Sequence, residues 1–137
     1  MKKCFGIIVA SICLLSFTAC VSNKKIALPA PENLTRIEIS ENTSESVKKL
    51  TDKEEISKLI YEIKNHSKST NMESINDQPT DIDHYIIIKC YHKNTEENPS
   101  IAYLYKKKGS HYIEQPYAGI WKLENEIAQT IDAYLPK

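Results

Sequence analysis

Glycine is scarce in this chain. Of three glycines in 137 residues, Gly6 lies in an apolar leader and only Gly109 and Gly119 follow it. A glycine-rich loop that cradles phosphate is therefore excluded, and no G-x-S-x-G elbow surrounds any serine. Cysteine is scarce too: Cys4, Cys13 and Cys20 cluster at the start and Cys90 stands alone in the body, so no intramolecular disulfide can brace a domain that has lost its leader. Charge of one sign is missing, with 18 basic and 18 acidic residues, and this balance argues against a nucleic-acid partner. Apolar length is limited as well. Phe5 to Ala19 gives about fifteen residues where a membrane-spanning helix needs about twenty, and polar Ser22-Asn23-Lys24-Lys25 follows.

What is present at the start is an address. Met1-Lys2-Lys3 supplies a short positive segment, the uncharged run follows, and small Thr18 and Ala19 lead into Cys20, which is the layout of a secretory signal. Phe17-Thr18-Ala19-Cys20 resembles the bacterial lipobox, in which the cysteine receives a diacylglycerol before cleavage; Phe17 stands where an aliphatic residue is usual. The expected product is a protein lipidated at Cys20 and held on the extracytoplasmic face of the cell membrane. The alternative is a secreted protein cut after Ala19 with Cys20 as a free terminal thiol. Removing residues 1–19 takes Lys2 and Lys3 but no acid, leaving 16 basic against the same 18 acidic residues. Acyl chains contribute about 0.8 kcal/mol per buried methylene, so two make a stable anchor where one is marginal. The expected organisation is a signal peptide over 1–19, a lipidated cysteine and tether over 20–31 that reaches at most about 35 Å from Val21 to Pro31, and one domain over 32–137.

Within that domain the apolar pattern predicts two helices among strands. Residues 34–40 alternate from Ile37 onward, Glu41-Asn42-Thr43 makes a turn, and residues 46–50 return as a second strand. Thr51-Asp52-Lys53-Glu54 has the form of a capping box with Thr51 as the N-cap, and Ile56, Leu59, Ile60 and Ile63 then fall at helical spacing as far as about residue 65. Residues 68–82 are rich in Ser, Thr, Asn and Asp and read as a long loop, a length that needs a functional or packing reason. Asp83 to Lys93 reads as a strand with His84, Ile86, Ile88, Cys90 and His92 on the core face, and with Tyr85, Ile87, Lys89, Tyr91 and Lys93 on the other. Residues 101–106 and 111–114 complete a meander around Lys107-Lys108-Gly109. Ile127, Ile131 and Leu135 mark a last helix closed by Pro136. The expected fold is α+β: one antiparallel sheet of about five strands, order ββ-α-βββ-α, with two helices on one face.

The chemistry-bearing residues are sparse. Cys90 and His92 are two apart and share a face, but His84 lies about 27 Å from His92 along a strand, and two ligands do not make a metal site. No cofactor and no metal are expected. Asp81/Asp83 and Glu96/Glu97 fall in turn-like segments, where solvated carboxylates are the ordinary occupants. The tyrosines carry more weight. Tyr85 and Tyr91 share one strand face, Tyr103 and Tyr105 share one on the next strand, and Tyr117 follows nearby, so they form either an aromatic recognition surface or a half-buried packing layer with hydroxyls at the rim. Lysines 89, 93 and 106–108 add positive charge, either to protect a sheet edge or to steady the domain near anionic lipid.

Pro31 to Ile39, Thr51 to Ile56 and above all Tyr112-Ile113-Glu114-Gln115-Pro116-Tyr117-Ala118-Gly119-Ile120 resemble the DUF5301 family of small Gram-positive lipoproteins and extracytoplasmic modules. The resemblance implies an α+β fold and an envelope location, and implies that similar domains accompany membrane-bound metallopeptidase sensors; it carries over no catalytic residue. The expected function is a non-enzymatic, membrane-anchored module, monomeric, that binds an envelope peptide or protein through Tyr85, Tyr91, Tyr103, Tyr105 and Tyr117. The alternatives are a small envelope hydrolase built on His92 or His111 and a structural spacer with packed tyrosines and a structureless loop.

Overall fold

A computed structural model describes residues 24–137; the leader and Cys20 lie outside the described residues. Seven strands form one sheet: β1 (Leu34–Glu41), β2 (Val47–Leu50), β3 (Ser67–Met72), β4 (Ile86–His92), β5 (Thr95–Lys107), β6 (Ser110–Gln115) and β7 (Gly119–Leu123). Their order across the sheet is β2-β1-β4-β5-β6-β7-β3, and every neighbouring pair is antiparallel. Two helices, α1 (Lys53–Asn65) and α2 (Asn125–Asp132), complete the α+β architecture. The sheet is thus wider than the five strands expected, by β3 and β7. Residues 67–72 form an edge strand made almost wholly of polar side chains, and residues 119–123 form a short strand directly after a turn, so neither shows a clean alternation.

The chain crosses the sheet twice, once on each face. From β2 at one edge, α1 carries the chain over to β3 at the other. Its N-cap is Asp52, whose carboxylate accepts from the Glu54 and Glu55 amides, so Asp52 takes the capping role expected of Thr51. Ile56, Leu59, Ile60 and Ile63 are all buried on its inner side, as their spacing requires. Residues 73–85 then return from β3 to β4 on the opposite face. This return passes β7, β6 and β5, four inter-strand steps or about 19 Å, and ends nearly level with where it began, since Met72 lies across Ile120, Glu114 and Tyr103 from Ile87. The long loop therefore has a packing reason for its length: it is a strap.

The core lies between the sheet and the two helices. Ile37, Ile39, Leu50, Ile88, Cys90, Leu104, Ile113 and Trp121 point into it, with Ile127, Ala128 and Ile131 from α2. The alternation read in β4 is observed, with Ile88 and Cys90 buried. The strand begins at Ile86 and not at Asp83, because Asn42 takes over the preceding backbone: it pairs with Tyr85 in both directions and donates to the Asp83 carbonyl. Ile26 and Leu28 also join the core, so residues 24–30 of the expected tether pack on the domain. The Gln115 side chain fixes them by bonding both the amide and the carbonyl of Ala27.

Two hairpin turns use left-handed backbone. Lys108 and Gly109 have φ of 50° and 81°, the pair of positive values that a two-residue hairpin needs. At the β6–β7 turn, Tyr117 has φ 59° and Gly119 has φ 152°. A Cβ on Gly119 would stand 3.2 Å from the Trp121 ring, so Gly119 opens β7 under the largest buried side chain of the core.

Candidate functional site

The face away from the helices carries the tyrosines, and the strap lies on part of it. Tyr103 and Tyr105 are 8% and 7% exposed, so the two are packing residues and not an open aromatic surface. Glu114, itself 7% exposed, organises this layer: one carboxylate oxygen accepts from the Ser74 hydroxyl of the strap at 2.6 Å and the other from Tyr105 at 3.0 Å. Burial, with the Glu114 charge and hydrogen bond added, raises the Tyr105 hydroxyl well above its ordinary value. Tyr85 meets Tyr103 edge to face with centroids 5.3 Å apart, and Tyr112 stacks on Tyr105 at 6.0 Å. The strap is tied at two further points, where Tyr85 donates to Gln78 and Tyr117 donates to Asp77.

The five tyrosines expected to act together fall into separate places. Tyr85, Tyr103 and Tyr105 belong to the strapped layer. Tyr91 lies elsewhere, under the Arg36 guanidinium at 3.7 Å and donating to Glu38 at 3.0 Å. Burial works to raise the Glu38 carboxyl, but the hydrogen bonds from Arg36 and Tyr91 win and hold it below its usual range. Tyr117, 69% exposed, stands at the turn end of the sheet.

A cleft of about 380 Å³ opens at the other end. It exists because β4 starts at Ile86, opposite Leu104, while β5 runs on to Lys107. A gap is left between the β1–β2 turn and the β5–β6 hairpin, and α2 closes it from below. Ile86, Leu104 and Ala128 make an apolar floor, whereas Tyr85, Tyr105, His84, His111 and Lys106 stand around it with Glu41 and Asp132. His111 is oriented by the Asn125 side chain at 2.8 Å. Such an apolar base with a few convergent polar groups is the form of a binding site. The sequence marked His84 and His111 separately but gave no sign that they share a cleft with Asp132.

The other chemical candidates resolve into structural roles. Cys90 is buried in the core, and burial pushes its thiol up to about 12, against both metal ligation and nucleophilic use. His92 Nε2 lies 2.8 Å from Ser100 Oγ, a nucleophile–base distance. Neither residue lines the cleft, and among the described residues no carboxylate is bonded to the other ring nitrogen of His92 to orient it as a triad does. No group of three or more potential metal ligands occurs among the described residues, and no described helix is long and apolar enough to cross a membrane.

Known proteins set this architecture in a family. No curated protein matches the chain. A solved structure described as the NMR structure of the protein from Ruminococcus gnavus is 31% identical, covers 74% of this chain and 94% of its own, and superposes with a TM-score of 0.61. The family model DUF5301, described as a domain of unknown function (DUF5300), matches residues 22–122. That span runs from just before the packed segment at Ile26 to Lys122 in β7, taking in the strap and Glu114, and the chain belongs to the DUF5301 family.

Proposed function

We propose that the chain is a lipid-anchored, extracytoplasmic binding module without catalytic activity, which takes a segment of an envelope peptide or protein in the cleft between the β1–β2 turn and α2. The observation that carries this reading is the composition of the cleft. Its apolar floor suits one or two aliphatic or aromatic side chains, and its rim offers donors and acceptors of both charges to a peptide backbone. Tyrosine at the rim adds contact area at small entropic cost. Tyr85 would serve recognition as a wall of the cleft, whereas Tyr105, 7% exposed, supports that wall from the packed layer. Anchoring through Cys20 raises the local concentration of the module near other envelope components.

Photocrosslinking in intact cells tests the reading. A photoreactive residue at position 106, on the cleft rim, is compared with one at position 54 on the exposed start of α1. A discrete peptide or protein adduct specific to position 106, and lost when His84→Glu is added, supports binding in the cleft. Adducts that are the same at both positions, or unaffected by His84→Glu, remove the cleft from consideration.

A further inference from the structure

We infer that Met72, Ile75 and Tyr117 form an apolar rim that seats on the bilayer surface, so that the domain stands with its β6–β7 turn toward the lipid and its cleft toward the outside. This rests on the lipid-anchored reading above.

Three of the five exposed large hydrophobic residues gather at one end of the sheet: Met72 at 48%, Ile75 at 70% and Tyr117 at 69% exposure. Met72 ends β3 and pairs with Ile120. Ile75 sits in the strap between Ser74, bonded to Glu114, and Asp77, which holds the Tyr117 hydroxyl. Residues at both sides of Ile75 are thus fixed to the sheet while its own side chain is left in water, where an aliphatic group has no favourable partner.

The N-terminal segment arrives at this same end. The Lys24 carbonyl accepts from the Trp121 indole at 2.7 Å, and the Lys24 ammonium donates to the Ala118 carbonyl, next to Tyr117. Lys24, Met72 and Ala118 line one small recess. Only Val21, Ser22 and Asn23 separate Lys24 from Cys20, and four residue steps span at most about 14 Å. A diacylglycerol on Cys20 therefore keeps this end against the headgroups, whichever way the rest of the domain leans. An amphipathic tyrosine and two aliphatic side chains suit that interface, and Lys24 and Lys25 suit anionic lipid. Glu73 and Asp77 border the same rim, so the seat depends on apolar contact more than on net charge.

The orientation has a geometric consequence for the cleft. β6 runs from His111, on the cleft, to Gln115, beside the turn that carries Tyr117. The four residue steps between them place the His111 side of the cleft about 13 Å farther from the lipid than the rim.

The test uses the mature chain recovered from bacterial membranes, reconstituted in vesicles of phosphatidylethanolamine and phosphatidylglycerol with lipid brominated on its acyl chains. Flotation with the vesicles reports the anchor, and quenching of an introduced tryptophan, above the Trp121 background of the parent, reports the seat. Tyr117→Trp is compared with Tyr61→Trp on the exposed side of α1 and with His84→Trp at the cleft. The expected result is about twofold quenching of Tyr117→Trp and none of the other two. Flotation with no quenching of Tyr117→Trp, or with equal quenching at all three positions, overturns the seat and leaves the anchor standing. Failure to float overturns the anchor, and the seat with it. A photoreactive residue at position 117 that captures a protein and not lipid in intact cells assigns the rim to a protein partner and also overturns the seat.

Discussion

The two faces of the sheet are covered by different chemistry. Toward the helices, Ile37, Ile39, Ile63, Ile113 and Trp121 are almost wholly excluded from water, and their contribution follows from area alone. Toward the strap, Tyr103 and Tyr105 are nearly as buried, but with Ser74 and Glu114 they form a layer whose members must meet at hydrogen-bonding distance. Area burial tolerates small displacements, whereas a carboxylate between two hydroxyls does not. The helix face therefore holds the fold, and the strap face fixes where one particular segment lies.

The largest expected effect separates the faces by size. Trp121→Ala removes the largest fully buried side chain of the helix face and costs about 3–5 kcal/mol, read as a lower midpoint in urea unfolding. Glu114→Ala leaves the Ser74 and Tyr105 hydroxyls without their acceptor and costs about 1–3 kcal/mol. Hydrogen exchange sharpens this second case: amides of residues 73–85 exchange faster in the Glu114 variant while those of α1 keep their protection. Equal acceleration in both would show that the faces do not act as separate units.

Alkaline pH presses on both faces at once. Burial raises the Cys90 thiol from 9.0 to about 12, and it raises Tyr103 and Tyr105 from 10.0. Groups whose folded values are raised contribute stability that is complete below their unfolded values and is lost as pH climbs toward the folded ones. Stability should fall from about pH 9 upward, at most about 1.4 kcal/mol per pH unit for each group. In Cys90→Ala the decline should begin nearer pH 10, where only the tyrosines remain to titrate. A chemical-denaturation series across pH checks this, and an unchanged onset in Cys90→Ala would contradict the assignment. The smallest effect is expected away from the strap, at Glu38. Its carboxyl is held below its ordinary 4.5, so its contribution is present above pH 4.5 and disappears as pH falls through the lower folded value. Glu38→Gln should change stability by less than about 1 kcal/mol at neutral pH, and should flatten the acid side of the same series.

Much of the fold was legible because periodicity reports burial. Four apolar residues at helical spacing marked α1, and Ile86, Ile88 and Cys90 marked the inner side of β4. β3 was hidden for the opposite reason. Ser67–Met72 lies at an edge, has few apolar side chains and is paired on one side only, so nothing in its composition separates a strand from a loop. Ile26 and Leu28 were too short a pattern to distinguish from a tether. The tyrosine cluster was legible as a cluster, but its burial was not. Burial of Tyr103 and Tyr105 depends on a strap that crosses the sheet from β3 to β4, and that crossing depends in turn on recognising β3. A signal did exist in Glu114, an acid in mid-strand between Ile113 and Gln115, because such a residue needs a partner if it is to be enclosed. The cleft was invisible for a related reason, since it arises where β4 stops and β5 continues.

Edge strands decide how neighbouring copies treat one another. A flat open edge would invite copies to zip together into one continuous sheet, the more so if the proposed anchor confined them to two dimensions. Both outer strands here resist that. β2 is only four residues long and carries Lys48 and Lys49, while β3 is broken by a register shift at Asn71, whose φ is 60°. Short length, lysine and a bulge each discourage edge-to-edge pairing. A sheet seven strands wide is therefore guarded at both outer strands against joining its edge to that of another copy.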